Sequence, residues 1–355
     1  MKVLYVAGRE ASYSRTRIVA QALRGRGHDV ALCAPPDRRF RHYPWLLLQT
    51  LWNAPRCDVV LVGFYGQLLV PFIRLLTWKP IVFDMYITTY DTMVFDRRKA
   101  KAGTLKARIY GFSDWLSYKA ASISILDTDH VIAHFGRLFR VDTGKLRRLF
   151  LAVDDSVIHP REVEREPGDL VVHFHGEYTP FHGVRHILRA AKLLEDEGVR
   201  FQIVGKGITY EEDMALAREL DLKNVVFHDP VPYDELANFM ARADICLGIF
   251  GDNDRAGLVM TNKVIEAIGM AKPLITEHNQ PVQELLKHAE SAYLVEPANP
   301  EALADAVRTL AQDPKLRDEI AANGYAIFQR YCTIEKLGEG LDGIFAEAVP
   351  KKAIN

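Results

Sequence analysis

The sequence predicts an α/β protein built from two doubly wound parallel sheets. Short apolar runs of parallel-strand character alternate with helical patterns, the alternation restarts near mid-chain, and a polar stretch with two prolines separates the halves. At 355 residues, 48% hydrophobic and 26% charged, the chain suits about two domains of ~100–200 residues, each with its own core.

In the first half the runs at 3–7, 30–34, 59–64, 81–85 and 131–133 read as strands. Helical patterns lie between them at 16–23 and from Leu105 to about Ile123. The joint is expected at Pro160–Gly168. Strands follow at 170–174, 201–204, 225–227, 245–250, 274–275 and 292–295, and a last helical stretch runs from Thr333 to Ala348. Ligands of such sheets bind at the carboxyl ends of the strands, so the expected site is a cleft between the domains.

Composition narrows the function. Residues 1–160 hold 24 Lys+Arg against 13 Asp+Glu, leaving 21 against 33 for residues 161–355. A basic half suggests an anionic surface. Its basic residues are interleaved with large apolar ones at 38–48 and 68–78, which suits lipid headgroups better than nucleic acid. The bland alternative is a pair of crossover helices with one buried face. That reading is preferred for 68–78, and both stay open for 38–48. The cysteines, Cys33, Cys57, Cys246 and Cys332, have no metal or disulfide spacing. The first strand starts at Lys2, and no apolar run reaches the ~18 residues of a membrane span. A cytoplasmic protein is expected, with peripheral contact to an anionic membrane through its basic half. Neither half carries Gly-x-Gly-x-x-Gly, which disfavours a dinucleotide oxidoreductase.

Residues 248–276 carry the chemistry. A strand at 245–250 leads through a polar loop to a helix opening near Thr261, and a second strand follows Pro273. The helix N–H groups are expected to face an anion. Glu266, one turn from Lys263 in an otherwise apolar helix, is placed to accept hydrogen bonds from a ribose diol. Together these features suggest a nucleotide diphosphate. Alone, Glu266 also reads as an i,i+3 ion pair with Lys263.

The stretch Thr261-Asn262-Lys263-Val-Ile-Glu266-Ala-Ile-Gly269-Met-Ala-Lys272-Pro273 resembles the nucleotide-sugar site of family 4 (group 1) retaining glycosyltransferases. Further landmarks follow that family's order: residues 24–30, 153–160, 175–184, 201–207 and 227–236. The resemblance implies a GT-B fold, two Rossmann-like domains facing a cleft, with an acceptor domain at 1–160 and a donor domain at 161–332. The segment 333–355 would return to the first domain. It implies a UDP- or GDP-sugar as donor, a glycan or lipid-linked acceptor in cell-envelope polysaccharide or glycoconjugate synthesis, no metal and no cofactor.

Besides Asp154 and a missing glycine in the 153–160 segment, three positions depart from the family pattern at the donor site. Glu177 and His182 stand in the loop after Gly176 where relatives place Arg and Lys, and Leu258 stands eight before Glu266 where many place a first glutamate. His182 still donates a hydrogen bond, or caps the helix that follows. The diphosphate contacts then fall to Lys206, Arg255, Lys263, Asn262 and Arg9 with Gly8, and to helix N-termini. Backbone near Val231 is expected to meet the base. Near the sugar, Asp84 is the first acidic candidate and Asp91 the second, each also readable as a turn cap. His130, His134, His173 and His175 lack metal-partner spacing. Two other functions stay in view: a non-catalytic nucleotide-sugar-binding subunit, and a GT-B epimerase.

Overall fold

The computed structural model describes residues 1–37, 39–164 and 168–349. Arg38, residues 165–167 of the expected joint, and residues 350–355 of the expected last segment lie outside the described residues. The chain divides into two compact units, Met1–Ala152 with the chain from Ile334 onward, and Val153–Thr333.

The first unit opens with β1 (Lys2–Val6), α1 (Ser14–Gly25), β2 (Asp29–Cys33), α2 (Tyr43–Asn53), β3 (Val59–Val62) and α3 (Val70–Leu76). It continues through β4 (Ile81–Tyr86), the single turn α4 (Thr89–Asp91), α5 (Leu105–Ala120), β5 (Ile123–Leu126), α6 (Asp129–Phe139) and β6 (Leu146–Arg148). The second unit begins with β7 (Leu170–His175), α7 (Val184–Leu193), β8 (Val199–Val204), α8 (Tyr210–Glu219), β9 (Val225–His228) and α9 (Tyr233–Arg242). Then come β10 (Ile245–Leu247), α10 (Asn262–Gly269), β11 (Leu274–Glu277), α11 (Gln280–Gln283), β12 (Tyr293–Val295), α12 (Pro300–Gln312) and α13 (Pro314–Tyr331). The last helix, α14 (Ile334–Ala348), belongs to the first unit.

Each unit holds a six-stranded, all-parallel sheet, ordered β2-β1-β3-β4-β5-β6 in the first and β12-β11-β10-β7-β8-β9 in the second. Continuous runs such as Val59-Val-Leu-Val62 are buried on both faces, as a helix-covered parallel sheet requires. One face of the first sheet packs on Leu46, Val70, Ile73 and Tyr118 of α2, α3 and α5. The other packs on α1 and on Leu337, Leu341 and Phe345 of α14. Asp342 ties α14 to the end of α1, 2.7 Å from Arg26 and 2.6 Å from His28.

Some sequence expectations need correcting. Residues 131–133 are helix, not strand: Thr128 caps α6 by accepting the Val131 N–H. The fifth strand is Ile123-Ser-Ile-Leu126, which the periodicity had assigned partly to the preceding helix. β6 escaped because Leu-Arg-Arg has no strand-like composition. β10 stops at Leu247 rather than residue 250. Residues 153–160 group with the second unit, where Ile158 lies against Gly269 and the Val153 N–H reaches the Cys332 carbonyl at 3.4 Å. The crossover-helix reading of 68–78 covers only half of that helix: Val70 and Ile73 are buried, but Leu75 is 81% and Trp78 97% exposed.

Candidate functional site

The second sheet reverses strand order between β7 and β10, the position where doubly wound sheets bind ligands. At the carboxyl end of β7, Gly176 adopts φ 141°, and at the end of β8, Gly205 adopts φ 138°. A Cβ on Gly205 would sit 2.0 Å from the Gly176 carbonyl oxygen, and one on Gly176 would sit 3.1 Å from Lys263 Nζ. The two glycines let strand ends and a lysine close up where any side chain would intrude. Gly205→Ala is expected to cost at least ~1–3 kcal/mol through strain alone, read as a lowered thermal midpoint. Beside them lies a cavity of about 290 Å³ lined by His175, Gly176, Glu177, Lys206, Val231 and Leu236 among others.

Helix α10 brings Lys263 and Glu266 to this floor, both buried. Glu266 accepts from Tyr233 Oη at 2.9 Å and from His175 Nε2 at 2.8 Å. His175 Nδ1 lies 3.0 Å from His173 Nε2. Burial pushes the Glu266 carboxyl up, but the bonds from His175 and Tyr233 and the charge of Lys263 hold it below its ordinary value. An ionised Glu266 requires His175 to donate from Nε2. Burial keeps His173 neutral by lowering its pKa well below the ordinary range. These two histidines and Tyr233 were not read as site residues. His175 stands 91 positions from Glu266, a pairing no local spacing reveals.

Lys263 Nζ lies 2.8 Å from His182 Nε2 and 5.3 Å from the Phe174 ring centroid. Burial pushes its amine down to about 7, against the opposing pull of Glu266 and Glu177. His182 Nδ1 faces the Glu177 carbonyl, which can only accept. His182 therefore donates there, and its Nε2 accepts from Lys263. That corrects the expectation of His182 as a donor to phosphate: both ring nitrogens are already engaged.

The other expected anion contacts divide. The Arg255 side chain is buried, at 5% exposure, and makes no hydrogen bond or ion pair among the described residues. Asn262 is exposed at the first turn of α10. Lys206 pairs with Asp229 at 2.6 Å on the surface, so it is not a free cation. Gly8 and Arg9 lie in the first unit. Gly8 is required by backbone packing, since a Cβ there would lie 2.5 Å from the Phe64 carbonyl oxygen. Arg9 is occupied by Glu10 at 2.8 and 2.9 Å and stacks over Tyr13.

Asp84 is not a free acid either. Arg15 grips both its oxygens, at 2.8 and 2.9 Å, and the pair is buried. Asp91 accepts from Thr88 Oγ1 at 2.5 Å while Thr88 caps the Asp91 N–H, a reciprocal cap. Its other oxygen lies 3.3 Å from His134 Nε2. Of the two aspartates, Asp91 alone keeps a titratable partner with an exposed edge.

Two parallel-sheet, Rossmann-like units in one chain, the second with this strand-end constellation, define a GT-B fold. Solved structures share it. The chain aligns with the Anabaena protein HepE, solved with UDP-glucose, at TM-score 0.75 and 15% identity over 98% of this chain and 100% of that one. Sucrose-phosphate synthase of Thermosynechococcus elongatus gives TM-score 0.75 at 14% identity over 98% of each chain. Residues 169–313 match the family model "Glycosyl transferases group 1". The chain is also 25% identical, over 80% of its length and 74% of the relative's, to an alpha-D-kanosaminyltransferase of Streptomyces kanamyceticus. These matches support a glycosyltransferase of group 1 type.

Proposed function

We propose that this transferase moves a sugar, with retention, from a UDP- or GDP-sugar to a glycan or lipid-linked acceptor of the cell envelope, without a resident cofactor. The observation that carries the donor assignment is the pairing on α10 of an ionised, buried Glu266 with Lys263 at the strand-order reversal. Glu266 still has lone pairs for a ribose hydroxyl. Lys263, Arg255 and the first turn of α10 would neutralise the leaving diphosphate, the step where charge develops. The buried Thr261 Oγ1 at that turn has no partner among the described residues, which suits an incoming anion. That HepE was solved with UDP-glucose, and that the kanosaminyltransferase carries its name, supports a nucleotide-sugar donor.

The test is donor hydrolysis across UDP-, GDP- and dTDP-sugars, beside Glu266→Ala. The wild type is expected to release one nucleoside diphosphate, and the variant to lose that release by at least ~100-fold. Proton NMR of the product sugar reads the anomeric outcome. Nucleotide-sugar binding without release, even with a membrane extract as acceptor source, would instead make this a non-catalytic binding subunit. No binding at all would sink the Glu266–ribose assignment.

A further inference from the structure

Helices α2, α3 and α5 lie side by side on one face of the first sheet, and each is apolar twice over. Their inner residues, among them Leu46, Val70, Ile73 and Tyr118, fill the core. A second stripe on each points to solvent at helical spacing: Trp45, Leu48 and Trp52 on α2, Phe72 and Leu75 on α3 with Leu68 just before it, Leu105, Ile109 and Phe112 on α5. Trp78, directly after α3, is 97% exposed. A surface helix ordinarily turns polar residues outward, and aligned stripes of this size mark a binding face.

The charges around the stripes have one sign. Between Arg38 and Lys79 the only acidic residue is Asp58, and between Asp96 and Asp114 there is none. The second interval carries Arg97, Arg98, Lys99, Lys101, Lys106 and Arg108, and Asp114 at its end is fully buried. Two such faces from two copies would set cation against cation. An anionic surface complements them, and exposed tryptophans beside basic residues suit the boundary between headgroups and acyl chains.

We propose that α2, α3 and α5 form an interfacial membrane face that seats the first unit in the headgroup layer of an anionic bilayer. No helix among the described residues is long and apolar enough to span one, so binding is monotopic, by shallow apolar insertion plus basic attraction. The inference goes beyond the transfer reaction and does not rest on it, because lipid binding is measured without donor.

The four tryptophans, Trp45, Trp52, Trp78 and Trp115, all lie on α2, on α5 or at the end of α3. Tryptophan fluorescence, excited selectively over tyrosine, therefore reports on these three helices. Vesicles of brominated phosphatidylcholine with about a third phosphatidylglycerol are expected to quench it, and vesicles lacking phosphatidylglycerol to quench it weakly. The paired exposed-site variant Leu48→Ser/Leu75→Ser keeps every tryptophan and is expected to lower partitioning by at least ~10-fold, with donor hydrolysis unchanged. Flotation with the same vesicles gives an independent readout. Absent quenching, binding insensitive to phosphatidylglycerol, or wild-type partitioning by the variant would each overturn the proposal. So would concentration-dependent dimerisation that the variant abolishes, which would assign the face to a second copy.

Discussion

Affinity for a nucleotide sugar is expected to fall about tenfold per pH unit as pH rises above 7, and to do so through Lys263. Its amine is held at about 7, chiefly by burial. The groups facing it are Glu266 on its own helix, Glu177 and His182 from the loop after β7, and the Phe174 ring. A diphosphate diester brings negative charge that does not titrate near neutrality, so it raises the Lys263 pKa without changing protonation itself. The sign follows. Below pH 7 the free and bound states both hold the ammonium, and this group gives no pH dependence. Between the free value and the higher bound value, binding must first take up a proton, so affinity drops. Above both it levels off. In the free protein the same shift acts in the opposite direction: a lysine pKa depressed by folding means stability rises with pH from about 7 toward 10.5. Calorimetry in buffers of different ionisation enthalpy would count the proton directly. Lys263→Met is expected to abolish the uptake and weaken donor binding by ~10- to 150-fold, the value of a charge-assisted hydrogen bond of ~1.5–3 kcal/mol. Constant affinity from pH 7 to 9 with no proton uptake would show that Lys263 does not meet the diphosphate.

What the sequence disclosed and what it hid follow from the range of each interaction. Parallel strands covered on both faces leave nearly continuous apolar runs, so most strands could be placed from one-dimensional pattern. Lys263 and Glu266 are one helical turn apart, and their shared face is a consequence of spacing. The partners that tune them are not. His175 lies 91 positions from Glu266, Tyr233 lies 33, and Arg15 lies 69 from Asp84. Each pair meets because a parallel sheet gathers its strand ends and the helices that follow them at one edge. An unpaired acidic residue at a strand end looks identical in sequence to one gripped by a distant arginine. The same limit applied to residues 68–78: alternation suggested a helix with one buried side, and only packing shows that its opposite side is apolar and uncovered.

Asp84 therefore calls for a test that separates holding the fold from touching the sugar. Asp84→Ala is expected to lower stability by about 3–5 kcal/mol, because it leaves the Arg15 guanidinium buried without its counter-charge. Arg15 would keep the Tyr86 ring, 4.8 Å from its central carbon, which replaces neither of two hydrogen bonds to a carboxylate. In a unit of this size that loss corresponds to a thermal midpoint lower by roughly 6–20 °C. Removing both charges removes the reason for the loss. Arg15→Met with Asp84→Leu is expected to recover most of the midpoint, since an apolar pair of similar volume carries no desolvation penalty. Turnover then decides the role: the recovered double variant is expected to hydrolyse donor at near the wild-type rate. If Asp84→Ala leaves the midpoint unchanged and turnover collapses, the aspartate acts on the sugar and the ion pair is incidental. The dependence of each variant on the other makes the experiment a double-mutant cycle, and a coupling energy near zero would rule out the pair as a structural unit.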